Sequence, residues 1–497
     1  MTPPPHSPTA CPPVPRPTAP SLRPPPTSPR PTPERAPKAS LSRWRAPLLL
    51  LAAALALGPT TACHLLLDGD PAAGIGAPCE EDTDCQASRC IDEVCASPCT
   101  TSDDCPAPAT CTSAALCQLP LRVGFVHAGE PASEQWTQAH ETGREDALLD
   151  LPYLVTEAAY GKLLAADAAS AIDDLIARGF HLIVATSPTL RDVAALKALE
   201  HPETKFLTCD AAPPTTGNHV AYHGRMYQAA YLAGYAAARR STTHRLGMLG
   251  SLPTPAVVRY INAFTTGARR ASPDTTVEIR WLGFWHDTLP PDPQGRTQER
   301  VLTEALLASG CDVIAHQTDN GIPVTTVANA GTTAKAIGNN TEDACPPDAP
   351  SCLGTTFWRW GPLYTRLLDG VHRSRWPSAS LVEPGMLLNP QSSTVNFALG
   401  PAFDAGELAL EISALLEELS AENGEATPFI GPLCSTGQRD PGKDGTPDCL
   451  AAGEAPSAGE LQTMCWFVEG LVEREDPDDP SSPDRPALVP SRGDCGP

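Results

Sequence analysis

From Leu121 to about residue 472 the chain alternates short apolar runs with amphipathic stretches, and this alternation restricts the fold more than any other feature. The strand-length runs are Arg122–His127, His181–Thr186, Lys205–Cys209, Arg245–Leu249, Val277–Phe284, Asp312–His316 and Ala334–Ile337. Helical faces lie between and after them. Ile172, Leu175 and Ile176 share one, and Leu408, Ile412, Leu415, Leu416 and Leu419 share another. Thr189 with Asp192 reads as the capped start of a helix through Leu199. Strands that alternate with helices build parallel sheets with helices on both faces. The roughly 375 residues from Leu121 onward exceed what one such sheet can use, so two lobes are expected.

The 18 cysteines are clustered, as in chains that fold in an oxidising compartment. Cys79, Cys85, Cys90 and Cys95 are followed by Cys99, Cys105, Cys111 and Cys117. Each set opens with Pro-Cys and then Asp-Cys, as Pro78-Cys79 with Asp84-Cys85 and Pro98-Cys99 with Asp104-Cys105. The two sets are therefore an internal repeat. Few large apolar residues lie among them, so disulfides must hold the module. Zinc would need pairs such as C-x2-C, which do not occur there. Eight cysteines allow about 105 pairings, and spacing does not choose among them. Cys345 and Cys352 flank a Pro-rich stretch and are expected to staple a loop.

The N-terminal 40 residues are rich in Pro, Ser, Thr and Arg and are expected to be disordered. Arg43-Trp44-Arg45 then precedes an apolar run from Leu48 to Leu57, too short for a stable membrane span. A basic flank, a short apolar core and small residues make a signal peptide. It closes on Thr60-Thr61-Ala62-Cys63, which resembles a lipobox with Thr60 where Leu is usual, so Cys63 is the expected lipidation site. The alternative is ordinary cleavage near Ala62. The formal net charge is −23, although residues 1–62 are basic. So acidic a body offers no electrostatic footprint for nucleic acid. The expected organisation is a leader and signal peptide at 1–62, a linker at 63–78, the cysteine module at 79–117, a two-lobed domain at 121–472 and a disordered tail at 473–497. Within the domain, lobe 1 covers about 121–243 plus a C-terminal segment and lobe 2 about 244–395.

Tyr227-Gln228-Ala229-Ala230-Tyr231-Leu232-Ala233-Gly234-Tyr235 resembles the hallmark helix of the basic membrane lipoprotein family, the purine-nucleoside-receptor-like substrate-binding proteins of ABC importers. Further matches follow in order: Arg245–Gly250, Ile261–Phe264 with Gly267-Ala268, Trp281–Asp287, Asp312–Asp319, Ala336–Asn340, Pro428–Pro432 and Met464–Gly470. The resemblance implies an α/β, two-lobed periplasmic-binding-protein fold: two doubly wound parallel sheets with hinge strands, here preceded by the small disulfide-rich module. It also implies a small-molecule ligand, a purine nucleoside, in the cleft between lobes, an ABC permease as partner and a lipid anchor to the membrane. No cofactor or metal is expected.

The resemblance puts stacking aromatics at Trp136 and Trp285, one from each lobe; either could instead pack in a core. A flat purine suits such a sandwich. Asp319 and Asn340 follow strands and are placed to bind ribose or the base edge, while Asn340 could equally cap a turn. Asp287 is a candidate contact or a helix cap. Arg225 precedes the hallmark helix, and Arg359 stands roughly where the family has a lysine; both could be structural ion pairs. Trp358 and Trp360 add aromatic surface. Many members carry Asp-x-Ser-aromatic-Asn-Gln in the first lobe. Here Ser133-Glu134-Gln135-Trp136-Thr137-Gln138 keeps the aromatic and the Gln, with Thr137 in place of Asn. Enzyme chemistry is not expected: no G-x-S-x-G, P-loop or H-E-x-x-H occurs, and His127, His140, His223, His286 and His316 show no metal spacing. Glu130 and Glu134 read as capping charges. The alternative function is a ligand sensor or surface-interaction lipoprotein that no longer serves transport.

Overall fold

The computed structural model describes residues 74–473 except 78, 81, 86, 87, 211, 212, 215, 404, 405 and 436–448. The signal peptide, Cys63 and the tail from 474 lie outside the described residues.

The module folds as its repeat requires. The pairs are Cys79–Cys90, Cys85–Cys95, Cys99–Cys111 and Cys105–Cys117, so each set joins its first cysteine to its third and its second to its fourth. Four short strands, Arg89–Ile91, Val94–Pro98, Thr110–Cys111 and Leu116–Gln118, form one small sheet. Its two apolar clusters are mostly cystine, with Ile75 in the second. Ile75 is buried and Gly76 donates its N–H to the Cys95 carbonyl, so the module starts inside the expected linker.

In the first lobe the strands are β1 (Leu121–Val126), β2 (Leu154–Ala159), β3 (Leu182–Ala185), β4 (Lys205–Cys209) and β5 (His219–Tyr222). The second has β6 (Arg245–Gly250), β7 (Thr276–Trp281), β8 (Val313–His316), β9 (Lys335–Asn340) and β10 (Cys352–Trp358). The chain then shuttles. β11 (Leu381–Val382) pairs with β5, β12 (Val395–Leu399) with β10, and β13 (Leu471–Glu473) with β7. The sheet orders are β11-β5-β4-β3-β1-β2 and β12-β10-β9-β8-β6-β7-β13. All pairs are parallel except β10 with β12. The strands of the C-terminal segment expected with lobe 1 thus pair with the second sheet, and the return to the first sheet is β11, inside the range expected for lobe 2; the chain crosses between lobes three times, near 223–225, 359–360 and 383–394.

Helices α1 (Gln135–Asp150), α2 (Ala165–Ala177) and α3 (Arg191–Glu200) cover the first sheet; Ile172 and Leu175 of α2 are buried and Ile176 is half-buried. Ser187, not Thr189, supplies the cap here, accepting the Thr189 N–H ahead of a short turn into α3. The hallmark stretch is α4 (Met226–Arg240), which packs on α5 (Pro255–Ala271) of the second lobe. Its small residues are explained by that contact. A Cβ at Gly234 would lie 1.9 Å from the Phe264 carbonyl oxygen, and one at Gly267 2.0 Å from that of Tyr231. Two helices so close leave no room for a methyl group. α6 (Gln298–Ala308) and α7 (Ile322–Asn329) cover the second sheet, α8 (Gly361–His372) returns to pack on α1, and α9 (Glu407–Gly424) buries Leu408, Ile412, Leu415 and Leu419 with Leu416 half-buried. Cys345–Cys352 is a disulfide, as the Pro-rich loop suggested, and Cys434–Cys449 is another.

Candidate functional site

Both sheets carry the order 2-1-3-4-5 in their own strand sequence, so each has a switch point where its order reverses. Ligands of open α/β sheets bind there, at the carboxyl ends of the strands. In the first lobe these ends bring His127 after β1, Thr186 after β3 and Asp210 after β4. In the second they bring Ser251 after β6, Gln317 after β8 and Asn340 at the end of β9. The lobes meet at this edge: the Gln135 N–H donates to the Asp319 carbonyl at 2.7 Å.

Trp136 opens α1 and is half-buried. Its indole N–H donates to the Thr186 carbonyl at 2.8 Å, which fixes the ring plane. The ring stands edge-to-face against His140, Trp358 and Trp360, at 4.9, 5.7 and 6.0 Å. Those three rings form a parallel stack, His140 on Trp360 at 4.4 Å and Trp360 on Trp358 at 4.6 Å. Trp358 and Trp360 lie where the chain crosses between lobes, so the stack is a buried floor at the hinge. Tyr364 holds it, with its hydroxyl 2.6 Å from His140 Nδ1 and 2.8 Å from the Tyr222 hydroxyl.

Trp285 lies beyond its strand, not on it: β7 ends at Trp281, and Gly283 turns the chain with φ of 83°. The ring is half-buried, and its carbonyl accepts the Asp319 N–H at 2.9 Å. Thr137 is buried and gives its hydroxyl to Glu134 Oε1. Asn340 is buried with φ of 70°; its Nδ2 donates to Asp319 Oδ1 at 3.0 Å and its Oδ1 accepts the Trp358 indole N–H at 3.3 Å. Its left-handed backbone and its side-chain contacts make it both a turn residue and a cleft residue. Burial, and then the neighbouring Glu134, pushes the Asp319 carboxyl well above the usual range.

Three expected contacts are engaged elsewhere. Arg225 donates to the Glu383 and Gly424 carbonyls and pairs with Glu425, tying the hinge to the end of α9. Asp287 accepts the N–H groups of Leu289 and Gln298, so it anchors the loop into α6. Arg359 pairs with Glu342 at 2.7 Å and donates to Gln391, in a groove of about 790 Å³ between α1 and the Glu342 loop.

Sequence reading missed the strand-end groups. His127 is fully buried, with Nδ1 3.0 Å from the Thr186 hydroxyl, and burial lowers it to about 4. Asp210 is buried at the end of β4, 3.5 Å from Arg191. His223 meets Trp358 edge-on at 5.1 Å and is likewise lowered by burial to about 4. The signal was available: each follows an apolar run by one residue, where the strand rule puts ligand contacts. Burial pushes the Cys209 thiol far up and that of Cys311 to about 12, which favours the neutral thiol at both.

Residues 122–385 match the family described as ABC transporter substrate-binding protein, PnrA-like. A purine-binding protein of Brucella abortus is 29% identical over 367 residues, 73% of this chain and 95% of that protein. A putative ABC transporter glucose-binding protein of Haloferax volcanii is 28% identical over 52% of this chain and 62% of its own length. Among solved structures, a transcriptional activator of the comK gene from Bacillus halodurans superposes with a TM-score of 0.50 at 17% identity. It covers 61% of this chain and 98% of its own, which speaks to the fold alone.

Proposed function

This chain belongs to the PnrA-like ABC transporter substrate-binding proteins, and on that footing we propose that it captures a purine nucleoside between its lobes and delivers it to an ABC permease. Solute-binding proteins of this kind are exported to the periplasm or cell surface. No helix among the described residues is long and apolar enough to cross a membrane. The membrane attachment proposed here is a lipid on Cys63, and Cys63→Ser should release the protein into the soluble fraction.

The observation that carries the purine is Trp136. Its ring is locked by Thr186, backed by a stack of rings and still half-exposed at the edge where the lobes meet. A rigid, preoriented aromatic face binds a flat heterocycle with little loss of side-chain freedom. Trp285 is its counterpart from the second lobe. Asn340, Gln317 and Asp210 at the strand ends supply amide and carboxylate partners for the base edge and ribose. The Brucella relative is named for purine binding, which agrees.

Titration calorimetry with inosine, adenosine, guanosine, hypoxanthine and glucose tests the reading. A nucleoside should bind, and Trp136→Ala and Trp285→Ala should each weaken it by about 1–3 kcal/mol, roughly ten- to a hundredfold. Glucose binding with no nucleoside binding would sink the purine and favour the Haloferax relative's ligand class. The cysteine module favours a second reading, a sensor or surface-interaction lipoprotein, in which deleting the partner permease would leave the protein's role intact.

A further inference from the structure

The lobes meet at three side chains that sequence spacing could not unite. Glu134 comes from the loop before α1 in the first lobe. His286 and Asp319 come from the loops after β7 and β8 in the second. One ligating atom from each lies within 4.8 Å of the other two, and His286 Nδ1 is 3.3 Å from Glu134 Oε2. We propose that Glu134, His286 and Asp319 form a divalent-cation site of the zinc class that bridges the two lobes.

The geometry suits the ion. Zinc bound at about 2.0–2.2 Å in a tetrahedron holds its ligands about 3.3 Å apart; the Glu134–His286 pair already has that spacing, and Asp319, within 4.8 Å of both, would draw inward. The donor set of two carboxylates and one imidazole is the borderline set that zinc accepts. Three protein ligands leave a fourth position for water or a donor atom of the solute.

The charge balance asks for a cation. Glu134 and Asp319 are only 7% and 9% exposed. Among the described residues neither forms an ion pair with Arg or Lys, and the nearest cationic candidate for Glu134 is His286. Glu299, fully buried, adds to the negative field at Asp319; its Oε2 accepts from Asn320 at 2.7 Å, and its Oε1 has no partner. His286 Nδ1 is a buried nitrogen with no hydrogen bond, turned toward Glu134. Buried carboxylates without a counter-charge are costly.

The carboxylates are also held as metal ligands usually are. One oxygen of Glu134 takes the Thr137 hydroxyl, and one oxygen of Asp319 takes the Asn340 amide. The Asp319 N–H on the Trp285 carbonyl and the Gln135 N–H on the Asp319 carbonyl fix the two loops against each other. The other grouping of this type, Asp173, Glu200 and His201, already holds the Lys197 ammonium at 2.7 and 2.8 Å.

The site does not depend on the identity of the solute, so its test is run without any. Full-length protein stripped with a chelator is titrated with zinc chloride by calorimetry, with bound metal counted by mass spectrometry. One equivalent should bind, and Glu134→Gln, His286→Asn and Asp319→Asn should each weaken it at least tenfold. His201→Asn should leave it unchanged. His286 is 30% exposed at its side chain, so its variant keeps the fold and decides the matter if the carboxylate variants do not fold. Equal affinity in wild type and His286→Asn, or no equivalent bound, overturns the cation and leaves a shared proton between the two carboxylates. Zinc binding with no nucleoside binding separates this site from the proposed function.

Discussion

The two lobes share one strand order, yet their strand ends carry opposite chemistry. The first lobe brings mainly rings, Trp136, His127, His140 and His223, the histidines lowered by burial, beside the acids Asp210 and Glu134. The second brings acids: Asp319 and Glu299, raised by burial, with a single lowered histidine, His316. Topology decides where a cleft forms, and the loops decide what it binds. Burial disfavours charge on both walls, but the groups differ in sign, so acid should act on the two lobes in opposite directions.

The largest effect expected is on the first lobe. His127, His219 and His223 titrate near 4 when folded, against an ordinary value of 6.5. Below 6.5 the unfolded chain takes up protons that the folded one refuses, so stability present above 6.5 is lost as pH falls toward 4. Each contributes up to about 3 kcal/mol. Hydrogen exchange at pH 5 should show β1, β4 and β5 losing more protection than β6 and β9. The reverse order would break the comparison.

Next in size is the hinge floor. Trp360 is fully buried between His140 and Trp358, so Trp360→Ala should cost about 3–5 kcal/mol of stability in urea melts. Trp136 touches the same rings from a half-exposed position, and Trp136→Ala should lose far less stability than binding. Equal destabilisation by the two would make Trp136 a core residue.

The second lobe supplies the opposite pH test. Glu299 is raised to about 7 by burial, from an ordinary 4.5. Its folded carboxyl therefore takes a proton before the unfolded one does, so acidification from 7 to 4.5 relieves a penalty that is full above 7. Glu299→Gln should stabilise the protein at pH 8 by up to about 3 kcal/mol and have little effect near pH 4. Thermal melts at both pH values check this. A stabilisation that is constant with pH would mean that packing, not charge, explains it.

Much of the architecture was legible because it rests on local patterns. Lys205–Cys209 is a strand from end to end as its apolar run suggests, and Arg245–Leu249 lacks only Gly250. Val277–Phe284 was read too long because Leu282 and Phe284 continue the apolar pattern past the turn at Gly283. β2 and β5 were missed: Leu154–Ala159 is mostly half-exposed at the sheet edge, and His219–Tyr222 is four residues long. The pairing of the module's cysteines depends on which strands neighbour each other, and spacing does not encode that. The cleft was half legible. The motif marks Trp136, and the structure holds its ring half-buried at the edge where the lobes meet. The meeting of Glu134 with His286 and Asp319 is invisible in the sequence, because it joins loops from the two lobes that lie about 150 residues or more apart. Arg225, Asp287 and Arg359 make the structural contacts that stood as the alternative for each, with partners that sequence spacing does not reveal.

The smallest expected effect is at Arg359, and it sharpens the contrast between the walls. Its position matches a family lysine, which implies a contact with the ligand. The guanidinium instead reaches Glu342 and Gln391 in the groove beside α1. Glu342 is 62% exposed at its side chain, so solvent screens the pair. Arg359→Ala should therefore change stability by about 1 kcal/mol or less and leave nucleoside affinity unaltered. The same calorimetry that tests Trp136 reads this variant. A tenfold loss of affinity would mean that the side chain leaves Glu342 when ligand enters, and that the second wall carries a positive contact among its acids. No loss would leave that wall acidic throughout, with recognition resting on the aromatic face of the first lobe.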